Sequence, residues 1–316
     1  MNLRAGNGMN GLFFWVLFCG AWWVLAGVVF CLWGCYNDVG KEAVVPGRVT
    51  FLDVGQGLAV LLEQDGLYAM YDMGPDSAGV LDTLRERGVD TLEWAVISHN
   101  HRDHGGSVFE MNQRGARVGS AGSPKDGSAA PYIRRLYVGP DTAGGFVRDS
   151  VLRVMKRLDI PVDTLYRGDE LSLGSLKLRV LWPASFMRVG DNGASLVLRG
   201  SADETSFLLT GDLDSAGEHG LLKLSTDVTS ELLLVGHHGS SGSSSLGFLS
   251  RVAPRLAVIS VGSHNGYGHP TKNVLRKLQY VLNAPTDSTL DSPISRTDQE
   301  GSVSYRIIPG VGILKE

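Results

Sequence analysis

The spacing of apolar positions changes along the chain. Residues 11–34, GLFFWVLFCGAWWVLAGVVFCLWG, carry no charge. As a helix this run rises roughly 36 Å, enough to cross a hydrocarbon core of about 30 Å. After residue 35 the runs shorten. Segments 48–54, 59–63 and 67–72 have the composition of strands. Helical spacing over 80–87 stops at Gly88, and Trp94-Ala95-Val96-Ile97 is a continuous apolar run of the buried-strand type. The alternation continues with a helix over 148–158 and a hairpin of 171–173 with 176–181 around Gly174-Ser175. A second pair follows, 195–198 with 206–209. Buried-type strands at 232–235 and 256–261 flank a helical stretch at 246–252, then come a helix over 272–282 and a strand over 303–308. Mixed elements through one length predict a layered α/β fold. Residues 112–145, rich in Gly, Ser, Ala and Arg, read as an insertion or a loop over a site.

The remaining features divide the 316 residues into a signal peptide or signal anchor over 1–35, a linker over 36–47 with Gly40, Pro46 and Gly47, and a globular domain over 48–316. A composition of 43% apolar and 20% charged residues excludes a disordered chain. A net charge of −4 excludes a strongly basic nucleic-acid-binding module, but not an enzyme that acts transiently on a phosphodiester. The cysteines are Cys19, Cys31 and Cys35, which leaves no disulfide framework and no zinc–thiolate site for the globular part. Arg4 before the apolar run, with Asp38, Lys41 and Glu42 after it, places the N-terminus inside and the domain outside the cytoplasm.

The strongest chemical signal is Ser98-His99-Asn100-His101-Arg102-Asp103-His104, directly after the apolar run at 94–97. A loop there can turn His99 and His101 toward one ion while Asp103 and His104 face a second. Leu208-Leu209-Thr210-Gly211-Asp212 runs an apolar strand into a carboxylate able to bridge two ions. The strand at 232–235 runs into Gly236-His237-His238-Gly239-Ser240, and that at 256–261 into His264 and Tyr267-Gly268-His269-Pro270. Strand ends carrying ligand-type residues gather at one edge of a sheet.

Taken in order, these motifs resemble the metallo-β-lactamase family, and within it the nuclease-like C-terminal domain of the ComEC DNA-uptake proteins. The matching pieces are Phe51-Leu52-Asp53-Val54-Gly55-Gln56-Gly57, Asp72-Met73-Gly74, His99–His104, Asn192 with Ser195–Leu198, Gly211-Asp212, His237–Ser240, Val261-Gly262 through Asn265–Pro270, and Thr297-Asp298 with Gly301. The resemblance implies a four-layer αββα sandwich and a metal-dependent hydrolase of phosphodiesters, with DNA as substrate. Two departures stand out. Leu58 occupies a position where the family usually has an aspartate, and the membrane channel of ComEC has no counterpart. Leu32-Trp33-Gly34-Cys35 resembles a bacterial lipobox, so a lipoprotein signal and an uncleaved anchor are both open.

No histidine lies between His104 and His219, so the first metal is expected to use His99, His101 and Asp212, and the second Asp103, His104 and Asp212 with one more ligand. His237 is the favoured extra ligand. His238 is expected as the neighbour that contacts substrate, and His269 is the rival for either role, since adjacent residues of an extended strand face opposite ways. Asp103, His238 and His269 form the expected catalytic set: Asp103 orients the nucleophile, and a histidine protonates the leaving group. Two divalent ions, zinc or manganese, suit an all N/O site. Asp53 and Asp72 are candidates for orienting ligating histidines, Asn192 and Ser195 for supporting the loop, and His219 and His264 read as surface residues. Arg134, Arg135, Arg148, Arg153, Lys156 and Arg157 are candidates for a phosphate-binding rim. A phosphoester of the cell envelope is the alternative substrate, and a tethered binding protein the alternative to an enzyme.

Overall fold

The computed structural model describes residues 45–114, 130–140, 145–184, 192–283 and 292–316. The apolar run at 11–34 and Cys35 lie outside them. Among the described residues no helix is long and apolar enough to cross a membrane.

Residues 45–316 form one compact unit. Its strands in chain order are β1 (Gly47–Phe51), β2 (Ala59–Gln64), β3 (Leu67–Met73), β4 (Thr91–Leu92), β5 (Trp94–Ile97), β6 (Tyr132–Ile133), β7 (Leu136–Val138) and β8 (Val162–Thr164). They continue with β9 (Glu170–Leu173), β10 (Leu176–Trp182), β11 (Val197–Ala202), β12 (Thr205–Leu209), β13 (Leu232–Leu234), β14 (Leu256–Ile259), β15 (Ile294–Arg296), β16 (Val303–Ile308) and β17 (Gly312–Lys315). One sheet has the order β17-β16-β1-β2-β3-β5-β7-β8 and a second the order β15-β14-β13-β12-β11-β10-β9, while β4 and β6 form a small ribbon.

The period-2 pattern of the strands builds four layers. Val60 and Leu62 of β2 and Phe207 and Leu209 of β12 meet in the core between the sheets. Ala59 and Leu61 point the other way, against helices Val80–Glu86, Ser107–Arg114 and Phe146–Arg157. Leu208, Leu233 and Ile259 point away from the sheet interface of their own sheet, against helices Ser215–Lys223, Leu246–Val252 and Lys272–Leu282. This is the expected αββα sandwich. Gly200 lies opposite Phe207 in the β11–β12 register, and the Phe207 ring fills the space a β-carbon there would need.

Each sheet changes from antiparallel to parallel pairing. β3, β5, β7 and β8 run parallel, as do β12 to β15. Parallel neighbours end at the same edge, so the segments that follow β5, β12, β13 and β14 converge there. Within the stretch 112–145 the described residues include the end of helix Ser107–Arg114, β6 and β7, and β7 extends the first sheet.

Candidate metal centre

The site is built outward from Asp72, at the end of β3. Its backbone is left-handed, φ 60°, which aspartate tolerates better than most residues. Its carboxylate is fully buried and accepts three hydrogen bonds: Ser98 N at 2.6 Å, Ser98 Oγ at 2.7 Å and His104 Nδ1 at 2.7 Å. With its proton given to Asp72, the Ser98 hydroxyl accepts from His99 Nδ1 at 3.1 Å. His238 Nδ1 donates to the carbonyl of Ser260 at 2.8 Å. All three rings thus donate from Nδ1 and turn Nε2 inward, where it offers a lone pair whenever the ring is neutral.

Those lone pairs converge on Asp212, which is 2% exposed. Its Oδ1 is 3.2 Å from His104 Nε2 and 3.5 Å from His238 Nε2. Its Oδ2 is 3.7 Å from His99 Nε2 and 3.6 Å from His237 Nε2. Asp103 Oδ2 completes one side, 3.4 Å from His238 Nε2 and 3.8 Å from His104 Nε2. Two ligand groups result, one of Asp103, His104, Asp212 and His238, the other of His99, His101 and Asp212, each with its ligand atoms within 4.8 Å of one another. Gly211 is required by close approach: its φ is +52°, and a β-carbon there would sit 2.8 Å from Ser98 Oγ.

The donor set fits a divalent metal. His99 Nε2, His104 Nε2, His238 Nε2 and Asp212 Oδ1 are buried and have no hydrogen-bond partner. Unpaired acceptors buried against one another are costly, and a cation is what satisfies several lone pairs at one point. Burial pushes the Asp212 carboxyl up, but the positive charge of His104 and His238 outweighs it and holds Asp212 well below the usual carboxylate range. Asp103 is held at about 2, since burial, which raises it, yields to the close approach of His238 Nε2 and the charge of His104. Burial, helped by the charge of His104, lowers His99 well below its ordinary value and keeps it neutral. Burial also acts to lower His104, yet Asp212 and Asp72 raise it well above.

The expected roles of the tandem histidines change. His238 belongs to the four-residue group, and His237 belongs to neither group. Alternation along a strand does not apply, because both residues lie in a tight turn with φ of 52° and 54°. The His237 side chain is 27% exposed, and its ring lies beside the Asn192 amide at 3.3 Å. His269 is half-buried, its centroid 5.9 Å from that of His237 and stacked on Tyr267 at 5.6 Å. His219 and His264 are exposed and outside both groups. Asp53 serves a turn, its Oδ1 accepting from Gly55 N at 3.2 Å. Ser195 Oγ accepts from Asp212 N at 3.2 Å. Leu58 packs in the core between the sheets, so at this position a core side chain stands where the family places an acid. Arg134 and Arg135 are tied to Glu93 and Asp163 and do not form a free phosphate rim.

Sequence reasoning passed over Ser98, although its place immediately before the ligand motif marks it. A cleft of about 480 Å³ opens over the centre, walled by Gln56, Arg102, His101, His237, Tyr267 and His269.

Residues 52–264 match the model of the Metallo-beta-lactamase superfamily, and the chain belongs to that superfamily. Its relatives include ComE operon protein 3 of Bacillus subtilis, 28% identical over 286 residues, 84% of this chain and 34% of that protein. Competence protein ComA of Neisseria gonorrhoeae is 32% identical over 235 residues, 73% of this chain and 29% of that protein. The chain therefore spans about a third of the length of these relatives. Among solved structures, the metallo-beta-lactamase fold protein YhfI from Bacillus subtilis superposes with a TM-score of 0.52 at 12% identity, covering 83% of this chain and 100% of that one.

Two outcomes follow from the Asp72 network. Asp72→Asn should weaken metal affinity by about 10–100-fold, the usual cost of losing a group that orients a ligand; chelator competition measures it, and an unchanged affinity would show that Asp72 orients nothing. The second concerns pH. His104 and His238 have folded-state pKa values above 6.5. Their stabilising contribution is complete below the unfolded value and is lost as pH rises through the folded values. His99, lowered in the folded state, acts in the opposite sense until it is neutral in both states, so the thermal midpoint of chelator-treated protein should fall as the pH is raised above about 8, while the added stability from metal should grow, because an ion displaces protons. Calorimetry with and without chelator checks both trends.

Proposed function

We propose that this chain is a dinuclear metal-dependent phosphodiesterase whose substrate is nucleic acid, most directly DNA. The observation that carries the reading is Asp212, whose two carboxylate oxygens face different ligand groups. The ComEC-type relatives support the substrate class. Zinc and manganese both suit an all N/O set. Two such ions, when bound, supply Lewis-acid polarisation of the phosphodiester and activation of water near neutral pH.

The protein supplies the geometry. Asp212 holds the two groups at one place, and Asp72 and Ser98 lock His99 and His104. Asp103, ionised and 33% exposed in its side chain, faces the cleft and can accept a proton from the attacking water. His238 is committed to the ligand group, so His269 and His237 are left to pass a proton to the leaving oxygen. Tyr267, 73% exposed, offers a flat face beside them for a base or sugar. Asn265 fixes that wall: its Nδ2 donates to the carbonyls of Gly262 and His269, and its Oδ1 accepts from the amides of Tyr267 and His269.

The metal-loaded protein should hydrolyse a generic phosphodiester and DNA. His238→Ala should reduce metal content and activity together. His269→Ala should leave metal content intact and lower kcat by about 10²–10⁴-fold, the range of general acid–base groups. Metal-loaded protein that hydrolyses a thioester or a β-lactam while leaving every phosphoester intact would refute the reading. Turnover of a choline-phosphate polymer with no action on DNA would favour the cell-envelope substrate.

The uncharged run at 11–34 further supports a domain held at the membrane and outside the cytoplasm. The full chain should fractionate with membranes, and protease added to spheroplasts should digest the domain. Protection until lysis would reverse the orientation. Cys35→Ser should block processing if Cys35 is lipidated and change nothing if the run is an uncleaved anchor.

A further inference from the structure

On the outer face of the seven-stranded sheet, helices pack on β12 to β14 and on the Leu181–Trp182 end of β10, while among the described residues the other end of β10 and the facing part of β11 line an open pocket. Leu176, Leu178 and Val180 point into the core between the sheets, so Lys177 and Arg179 point outward. They line a pocket of about 450 Å³ together with Arg167, Arg199, Glu170 and Asp227. Four cations and two carboxylates leave the lining with a net charge of +2, in a chain whose net charge is −4.

The arrangement of these cations is unusual for a solvated sheet face. Arg179 and Arg199 are direct cross-strand partners in the β10–β11 register, a like-charge pair that is unfavourable by itself, and Glu170 faces Arg179 from β9 on its other side. Two of the guanidiniums are held by neutral acceptors. Arg199 Nε donates to the Thr229 carbonyl at 2.9 Å and its Nη2 to Ser206 Oγ at 3.0 Å. Arg167 Nη2 donates to Thr226 Oγ1 at 3.1 Å. These bonds fix Arg167 and Arg199, and the four cations outnumber Glu170 and Asp227 in the lining, which leaves the cavity positively charged.

The pocket is also remote from the metal centre. Ser201, in its lining, pairs with Ser206 at the start of β12, and Asp212 follows six residues later. From Ser206 to the strand's end at Leu209 the rise is roughly 10 Å, and Asp212 lies beyond it.

We infer that this pocket binds a phosphate-type polyanion, with the guanidiniums of Arg179 and Arg199 on either side of it. An anion between them removes the like-charge cost and gains charge-assisted, bidentate hydrogen bonds. The ligand chemistry can come from a nucleic-acid backbone or from a free diphosphate. The inference does not depend on hydrolytic activity at the metal centre.

The full chain, treated with chelator so that the metal centre holds no ion, is titrated with pyrophosphate and separately with a single-stranded oligothymidylate. One-to-one saturable binding is expected for at least one probe, weakening with salt. Arg179→Gln should weaken it about tenfold, as loss of one charged contact does. Lys177→Gln, at an exposed position, is a second variant in case the first disturbs the sheet, and it should also weaken binding. Without ligand, Arg179→Gln removes both the like-charge pair with Arg199 and the opposite-charge pair with Glu170, so its thermal midpoint should stay close to that of the parent chain. Saturation by oligothymidylate alone identifies a nucleic-acid backbone, and saturation by pyrophosphate alone a free diphosphate. Saturation by neither probe, or equal affinity in both variants and the parent chain, would overturn the inference.

Discussion

A carboxylate without access to water must find its donors inside the protein, and the site depends on how Asp72 does so. It takes the backbone and hydroxyl of Ser98 and the imidazole of His104. The first two bonds hold the chain where β5 ends, and the third fixes the tautomer of one ligand. The Ser98 hydroxyl carries the same control to His99. Because Asp72 closes β3 and Ser98 follows β5, these bonds form only in the parallel register that pairs Tyr71 with Val96. Sheet register and ligand geometry are therefore one constraint. A slip by one residue would exchange the two buried faces of β5 between the flanking cores and separate the ligands from the carboxylate that orients them.

The same constraint explains the tension at the centre. Three buried Nε2 atoms and one oxygen of Asp212 are aimed at one another without hydrogen-bond partners. Such an arrangement is unfavourable by itself, and it persists because three apolar cores hold the sheets and helices around it. A metal site made this way is preorganised: the cost of assembling like-natured acceptors is met by packing elsewhere, so an incoming ion does not have to order its own ligands.

Much of this was legible in the sequence, because period and position carry it. Trp94–Ile97 reads as a buried strand and ends in ligands, and Leu208–Leu209 runs toward Asp212 in the same way. The sandwich follows from such strands with their flanking helices. What escaped was set by tertiary contact. Strands β4, β6, β8 and β15 have two or three residues each and exist because a neighbour pairs with them, which no local period announces. β7 lay hidden inside the Gly- and Ser-rich stretch. The choice between His237 and His238 turned on two consecutive left-handed residues, a conformation that the sequence Gly-His-His-Gly permits but does not require. The arginines that sequence proximity suggested, at 134 and 135, are neutralised by Glu93 and Asp163. The ones that gather, Arg179 and Arg199, are brought together by strand pairing across twenty positions.

Charge then decides what the cleft can admit. Its lining includes Asp76, Asp103 and Asp212 against the single guanidinium of Arg102, and Arg102 is itself bound to Asp76. Burial does not relieve this, because Asp103 and Asp212 are held ionised by their histidines. Without metal, these carboxylates are offset only by Arg102 and by the raised His104 and His238, so the cleft offers a phosphodiester no net attraction. Two divalent ions would contribute four positive charges and make the site positive. Uptake of an anionic substrate and occupancy by metal are then the same electrostatic event. Affinity for the substrate cannot be built into the protein side chains of this cleft independently of the ions it holds.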